Sequence, residues 1–325
     1  MTICVTGGAG YIGAHIVRLL QQAGQAVTVI DDLSYGQASR IGSARLVQLD
    51  LADTAEIPRL QAALDGCVAV IHVAARKQVG ESVERPAWYY QQNIGGMANL
   101  LLAMRAQSVE RLVFSSSAAT YGVPPAGRVA EDITMRPINP YGESKLAGEW
   151  LARDAARAWG LRAVNLRYFN VAGAGWEDIG DPAVLNLIPM VLEKLYENRR
   201  PAIFGDDYPT EDGTCVRDYI HVLDIATAHM AALDYLNRAD RPFDVFNIGT
   251  GSGHSVRRVI EMIGQVSGLD VTPDIEPRRP GDPPLLVSDV SRIERVFGWK
   301  AGHDLESIVE SSWRAWQAGP KRISV

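Results

Sequence analysis

Val5-Thr6-Gly7-Gly8-Ala9-Gly10-Tyr11-Ile12-Gly13 is the stretch whose reading decides the fold of this chain. It follows a strand-like run, Thr2–Thr6, and opens a helical pattern over Ile12–Ala23. Gly7, Gly10 and Gly13 allow a tight turn, close approach of a pyrophosphate, and close packing of helix on strand. The helix N-terminus then offers free N–H groups to the phosphates. A Gly-rich turn can serve the fold alone, but one set between a strand and a helix points to a bound dinucleotide. Asp31 stands about 20 residues past these glycines, where a carboxylate can accept hydrogen bonds from the adenosine ribose. A 2′-phosphate there would face Asp31 and Asp32 with no adjacent Arg to neutralise it, so NAD is favoured over NADP.

Outward from this loop the first half alternates short β-rich runs with helical ones. Further strands are expected at Ala26–Ile30, Arg45–Gln48, Val68–His72, Arg111–Ser115 and Leu161–Arg167, with helices at Tyr89–Ala106 and Ser144–Trp159. Repeated β-then-α order implies an α/β fold, a doubly wound parallel sheet (Rossmann) covered by helices on both faces. After about Gly173 the texture changes. Gly173–Pro182 and Phe204–Gly213 are rich in Gly, Asp and Pro, which marks loops, and helical patches remain at Leu187–Asn198, Asp224–Leu236, Val256–Ser267 and Leu305–Gln317. The expected division is a dinucleotide-binding domain over 1–173 and a smaller α/β substrate domain over 174–325 closing over the strand ends. Val245–Ile248 reads as a buried strand free to rejoin either domain.

Composition excludes several classes. The net charge of −6 in 325 residues is spread without acidic or basic blocks, which argues against nucleic acid or an anionic membrane as partner. Apolar runs such as Cys67–Ala75 fall well short of the roughly 20 residues that span a bilayer. Cys4, Cys67 and Cys215 are odd in number and lack CxxC pairing. A disulfide framework or structural zinc site is therefore not expected, and a cytoplasmic, reducing location is.

The chemistry sits in two motifs. The strand Arg111–Ser115 runs into Ser116 and Ser117 at its C-terminal end, where ligands bind in open α/β sheets. Further on comes Pro140-Tyr141-Gly142-Glu143-Ser144-Lys145. Tyr141 and Lys145 are four apart, so on one helix they share a face. A free phenol near pKa 10 is a poor base at neutral pH; a nearby ammonium and a positive nicotinamide favour the phenolate. The Ser117 hydroxyl can hold a substrate oxygen and share its proton. Singly, these residues read as a solvated face and a turn; in this order after a dinucleotide loop they read as a catalytic set. His72, ending an apolar strand, reads as structural.

The chain resembles the extended short-chain dehydrogenase/reductase family of NAD-dependent epimerases and dehydratases, and within it the 4-epimerases of UDP-hexoses. The matching stretches are TGGAGYIG from Thr6, VGESVERP from Val79, FSSSAATYG from Phe114, PYGESK from Pro140, LRYFNVAGA from Leu166, AIFGDDYPTEDGTCVRDYIHV from Ala202 and PRRPGD from Pro277. The resemblance implies that Tyr141 is the acid/base, Lys145 its partner and a nicotinamide-ribose ligand, and Ser117 the assisting hydroxyl. It implies NAD contacts at Tyr11, Ile12, Asp31, Asp50, Leu51, Lys77 and Asn93. On the substrate side it implies Asn170, Asn186, Leu187, Ala202, Phe204, Arg217, Arg279 and Asp282. Arg217 and Arg279 suit a diphosphate, since guanidinium groups pair bidentately with its oxygens.

The implied reaction interconverts UDP-glucose and UDP-galactose: hydride leaves C4 for NAD⁺, the 4-keto sugar turns over, and hydride returns to the other face. The resemblance also implies a homodimer through Tyr89–Ala106 and Ser144–Trp159. A 4,6-dehydratase would need an acidic pair after the active-site hydroxyl, where this chain has Ala118 and Ala119. Other readings stay open: UDP-pentoses, UDP-glucuronate or N-acetylhexosamines as substrates, or an NAD-sensing protein without turnover. For the N-acetylated sugars the deciding residue is Leu286, which falls where some related enzymes carry a tyrosine against the C2 substituent. It reads equally as a buried residue of a strand, Leu285–Val287.

Overall fold

The computed structural model describes residues 1–125, 127–279 and 281–319; Pro280 of the PRRPGD stretch and the last six residues of the expected second domain lie outside them. In chain order the strands are β1 (Thr2–Thr6), β2 (Ala26–Asp31), β3 (Arg45–Gln48), β4 (Cys67–His72), β5 (Arg111–Ser117), β6 (Arg128–Val129) and β7 (Arg162–Tyr168). They continue with β8 (Asn170–Ala172), β9 (Ala202–Phe204), β10 (Val216–His221), β11 (Phe243–Ile248), β12 (Gly253–Ser255), β13 (Asp274–Glu276) and β14 (Leu285–Ser288). Seven of them form a parallel sheet in the order β11-β7-β5-β4-β1-β2-β3. The order reverses between β1 and β4, which is the switch point of a doubly wound sheet and the place where such sheets bind ligands. Strands covered on both faces read as continuous apolar runs, and Val5, Val29, Ile30, Val70 and Ile71 are fully buried accordingly.

Two compact units emerge. The first gathers Met1–Gly122, Thr134–Tyr168 and Ala226–Phe246; the second gathers Val123–Ile133, Phe169–Ile225 and Asn247–Val325. One core of the first unit packs Leu60, Met97, Leu100, Met104, Phe114 and Ala152. The second unit has a sheet in the order β12-β10-β14-β6, with β8 also paired to β10, and a two-stranded sheet of β9 and β13. Its own core includes Ile188, Leu192, Tyr219, Ile260, Ile263 and Ile308. Among the described residues no helix is long and apolar enough to cross a membrane. Cys4, Cys67 and Cys215 are buried free thiols.

Two helices depart from their sequence reading. The pattern over Tyr89–Ala106 resolves into Pro86–Tyr90, a π turn at Gln91–Gly95, and Gly96–Ala106. The wide turn contains Asn93, whose amide donates to the Arg76 carbonyl at 3.0 Å and to Ser144 Oγ at 2.9 Å, bonds that fix its position inside the helix. Such single π turns concentrate at functional sites. The second helix starts earlier than expected, at Pro140, because Asn139 caps it by accepting from Gly142 N at 2.9 Å and proline suits the first helical turn. It ends at Gly160 in the left-handed conformation.

The helix Pro140–Trp159 lies close on the sheet because Gly148 has no side chain: a Cβ there would meet the Phe114 ring at 2.6 Å. One turn after Lys145, Glu149 reaches β7, where Arg167 donates through Nε at 2.8 Å and Nη2 at 2.6 Å. Ser116 Oγ also donates to Glu149, and Arg167 Nη1 donates to Tyr121 Oη at 3.0 Å. Both members of the ion pair are about 3% exposed. Removing one charge from so buried a pair leaves the other uncompensated. Glu149→Gln is therefore expected to cost about 3–5 kcal/mol of stability, read from equilibrium urea unfolding; a loss below about 1 kcal/mol would show that Arg167 finds other compensation.

Candidate active site

At the C-terminal end of β1 the chain turns through Gly7, at φ +69°, into the first helix. A Cβ on Gly7 would meet Ala74 N at 2.7 Å, and one on Gly13 would lie 2.0 Å from the Gly7 carbonyl oxygen. No other residue type fits either place. Gly10 is the helix N-cap in extended conformation, and no side chain caps the helix from there. A loop this close to its helix, with an uncapped N-terminus, fits a pyrophosphate. Tyr11 is buried, its ring edge-on to His15 at 5.6 Å, and Ile12 is half-buried beside it.

Asp31 accepts from Ala9 N at 3.0 Å and from Leu33 N at 2.9 Å, so its carboxylate is fixed at the rim of the loop. Burial pushes its pKa up, and those two backbone bonds pull against it. Asp50 accepts from Ala52 N at 2.9 Å and from Gln92 Nε2 at 3.2 Å. The Leu51 carbonyl accepts from Asn99 at 2.9 Å. Lys77 is exposed. Asn93 is engaged by protein: besides its two donated bonds, it accepts from Arg76 N at 2.8 Å. The expectation of no arginine near Asp32 needs correction. Arg76, distant in sequence, pairs with Asp32 at 2.6 Å. The signal was invisible because strand order, not spacing, brings the loop after β4 near the loop after β2.

Ser117 closes β5, its backbone extended, and its hydroxyl accepts from Ala119 N at 3.1 Å. It also acts on the Tyr141 phenol, pulling the phenol's pKa down against the larger upward push of burial. Lys145 is 3% exposed and donates through Nζ to the Ser115 carbonyl at 2.8 Å. Burial lowers its pKa to about 7, and the Glu149 carboxylate opposes that fall. In the protein alone, Lys145 thus anchors the helix to β5, and the Ser117 hydroxyl opposes the upward push of burial on Tyr141 without overcoming it. His72 is buried, bonded to Thr6 Oγ1 at 2.7 Å and stacked on Phe114 at 5.5 Å. Burial and then Lys145 depress its pKa to about 3, so it is neutral and packs as a structural residue. Glu149, Arg167 and Ser144 complete this region; Ser144 and Arg167 lie inside quoted motif stretches without having been singled out, and Glu149 lies in none.

The second unit collects the residues expected on the substrate side. Arg217 lies on β10, nearly buried, and pairs with Asp282 at 2.8 Å while donating to the Val216 carbonyl at 2.8 Å. Leu286 is its register partner on β14. The Arg279 guanidinium lies over the Phe204 ring at 3.8 Å, and Ala202 begins the same strand β9. Asn186 sits at the N-cap position of the helix Leu187–Tyr196, its side chain donating instead to Asp181 at 2.8 Å. Asn170 is exposed on β8, opposite Tyr219 of β10. An arginine half-neutralised by Asp282 and a second stacked on an aromatic ring can both take an anionic ligand.

The family model of the NAD dependent epimerase/dehydratase family matches residues 3–249. A UDP-glucose 4-epimerase of Corynebacterium glutamicum is 43% identical over 318 residues, 96% of this chain and 95% of that protein. Among solved structures, UDP-glucose 4-epimerase from Brucella ovis in complex with NAD superposes with a TM-score of 0.91 at 40% identity, covering 96% of this chain and 97% of that one. The UDP-Glc/GlcNAc 4-epimerase of Campylobacter jejuni does so with a TM-score of 0.85 at 40% identity, covering 97% and 99%. The glycine loop, the placement of Ser117 and Tyr141, and these full-length matches agree: the chain belongs to the NAD-dependent epimerase/dehydratase family.

Proposed function

We propose that this chain is a UDP-glucose 4-epimerase that interconverts UDP-glucose and UDP-galactose. The observation that carries the reading is Ser117 at the C-terminal end of β5 with its hydroxyl acting on the Tyr141 phenol of the helix Pro140–Trp159, in a unit whose glycine loop fits a dinucleotide. NAD, when held by that loop and Asp31, supplies a nicotinamide that takes up hydride from the sugar, gives it back, and adds a positive charge favouring the Tyr141 phenolate.

The chain's own residues do the rest. Ser117 holds the sugar 4-oxygen, and the Tyr141 oxygen removes the hydroxyl proton as C4 is oxidised. The same tyrosine returns the proton after the keto sugar has turned over. Lys145 keeps Tyr141 in place through its bond to β5 and is proposed to bind the nicotinamide ribose. Arg217 and Arg279 are proposed to take the diphosphate, with Asn170, Asn186, Leu187, Ala202, Phe204 and Asp282 around the rest of the nucleotide. Because binding energy then comes from the UDP part, the sugar stays loose enough to turn. Ala118 and Ala119 carry no acid for dehydration. A cytoplasmic homodimer is supported by the buried free cysteines and by the exposed apolar surface of Leu102 and Trp150, 58% and 48% exposed.

Tyr141→Phe keeps the ring and removes only the proton-transferring oxygen. It is expected to purify with NAD yet lose about 10²–10⁴-fold in turnover of UDP-galactose, measured by product chromatography. Near-normal turnover would remove Tyr141 from the mechanism, and stoichiometric NADH with a released keto sugar would mean a dehydrogenase instead.

The position of Leu286 beside Arg217 favours a second substrate class. If Arg217 takes the diphosphate, a leucine one strand away leaves room that a tyrosine ring would fill. UDP-N-acetylhexosamines then enter as well as UDP-hexoses. Leu286→Tyr is expected to suppress turnover of UDP-N-acetylgalactosamine while sparing UDP-galactose. Equal loss on both, or a parent protein inactive on the acetylated sugar, would show that Leu286 only packs β14.

A further inference from the structure

Arg76 follows β4, and Asp32 follows β2; β1, which lies between those two strands in the sheet, ends in the glycine loop. The Arg76 guanidinium therefore reaches along the edge of the region where Asp31 sits. Its Nη2 pairs with Asp32 Oδ2 at 2.6 Å and donates to Gln92 Oε1 at 3.0 Å; its Nε donates to the same oxygen at 3.1 Å, and its Nη1 donates to Ser34 Oγ. The group is also packed, 5.5 Å from the centre of the Tyr35 ring and 5.2 Å from that of Trp88. Asp32 in turn accepts from Ser34 N at 2.9 Å and from Ser34 Oγ at 2.6 Å.

An arginine beside the end of the second strand is the residue type that accommodates an adenosine 2′-phosphate, since its fork matches phosphate oxygens. Here that arginine is present, yet it already has a carboxylate. A 2′-phosphate would have to displace Asp32 from Arg76 and would meet two carboxylates, Asp31 and Asp32, in doing so. A 2′-hydroxyl meets no such obstacle.

We infer that Asp32 is a specificity-determining residue for the cofactor: by holding Arg76 in an ion pair it withholds the guanidinium from a 2′-phosphate, and so reserves the site for NAD. The inference rests on the assignment of the glycine loop and Asp31 to the adenosine half of NAD. Asp31 alone does not make the selection; releasing Arg76 admits NADP even with Asp31 in place.

The test measures cofactor occupancy rather than turnover. Parent protein and variants are incubated with excess NADP, desalted and denatured, and the released NAD(H) and NADP(H) are separated by chromatography. Asp32→Asn keeps the acceptor for Ser34 N and removes the charge; its NADP share is expected to rise roughly tenfold or more over the parent, the worth of one charge-assisted contact. Asp32→Ser provides the same outcome by a second route should the first variant fold poorly. Adding Arg76→Ala to either is expected to return the NADP share to the parent level. An unchanged NADP share in both single variants would overturn the inference, as would a gain that survives loss of Arg76. A parent protein carrying neither dinucleotide would overturn the cofactor assignment and this inference together.

Discussion

One buried hydrogen bond, from the Lys145 ammonium to the main-chain carbonyl of Ser115, ties the helix that bears Tyr141 to the strand that bears Ser117. Backbone carbonyls inside a parallel sheet are already engaged along the ladder, so this contact needs the helix at a fixed height and rotation over β5. Gly148 sets the height by letting the Phe114 ring lie against the helix backbone. The Glu149–Arg167 pair sets the rotation by reaching β7 one turn further on. Tyr141, Lys145 and Glu149 fall at successive four-residue steps, so one helical face carries the phenol, the lysine anchor and the anchor's counter-charge. A helix held at these three places presents Tyr141 to Ser117 without any contribution from a ligand.

This arrangement changes the role of the lysine. The sequence suggests an ammonium beside a phenol, and that proximity alone would lower the phenol's pKa. In the folded chain Lys145 points its charge at a carbonyl, and burial brings its own pKa to about 7. Tyr141 rests as a phenol, raised by burial and drawn back by Ser117. Burial thus holds Tyr141 in its neutral form in the protein alone, because a buried phenolate without a counter-charge is costly.

Much of this was legible in the sequence, for reasons that can be traced residue by residue. The strands β1 and β3 have the bounds their apolar runs suggest, and β5 extends two residues further, through Ser117. The glycine loop was legible because its three glycines answer to local sterics. Arg76, Glu149 and Arg167 were not, because each acts through a partner brought near by strand order or by a helix crossing a sheet. The π turn at Gln91–Gly95 was hidden for a related reason: hydrophobic periodicity continues through it, and only the bonds of Asn93 reveal the extra residue in the turn. On the substrate side, the register pairing of Leu286 with Arg217 depends on β10 and β14 lying side by side, which no local pattern announces.

The texture of the sequence suggests a change near residue 173 with Val245–Ile248 free to rejoin either part, and the compact units draw on alternating segments, with Ala226–Phe246 grouped with the N-terminal part and Val123–Ile133 with the C-terminal part. This interleaving matters on the ribosome. The edge strand β11 emerges only after two of the second unit's three segments, so the seven-stranded sheet cannot complete while its last strand is still in the exit tunnel. Until then the outer side of β7 has unpaired backbone groups, the kind of open sheet edge that recruits other chains. Vectorial synthesis therefore leaves this protein with an exposed strand edge for longer than a domain built from one continuous segment.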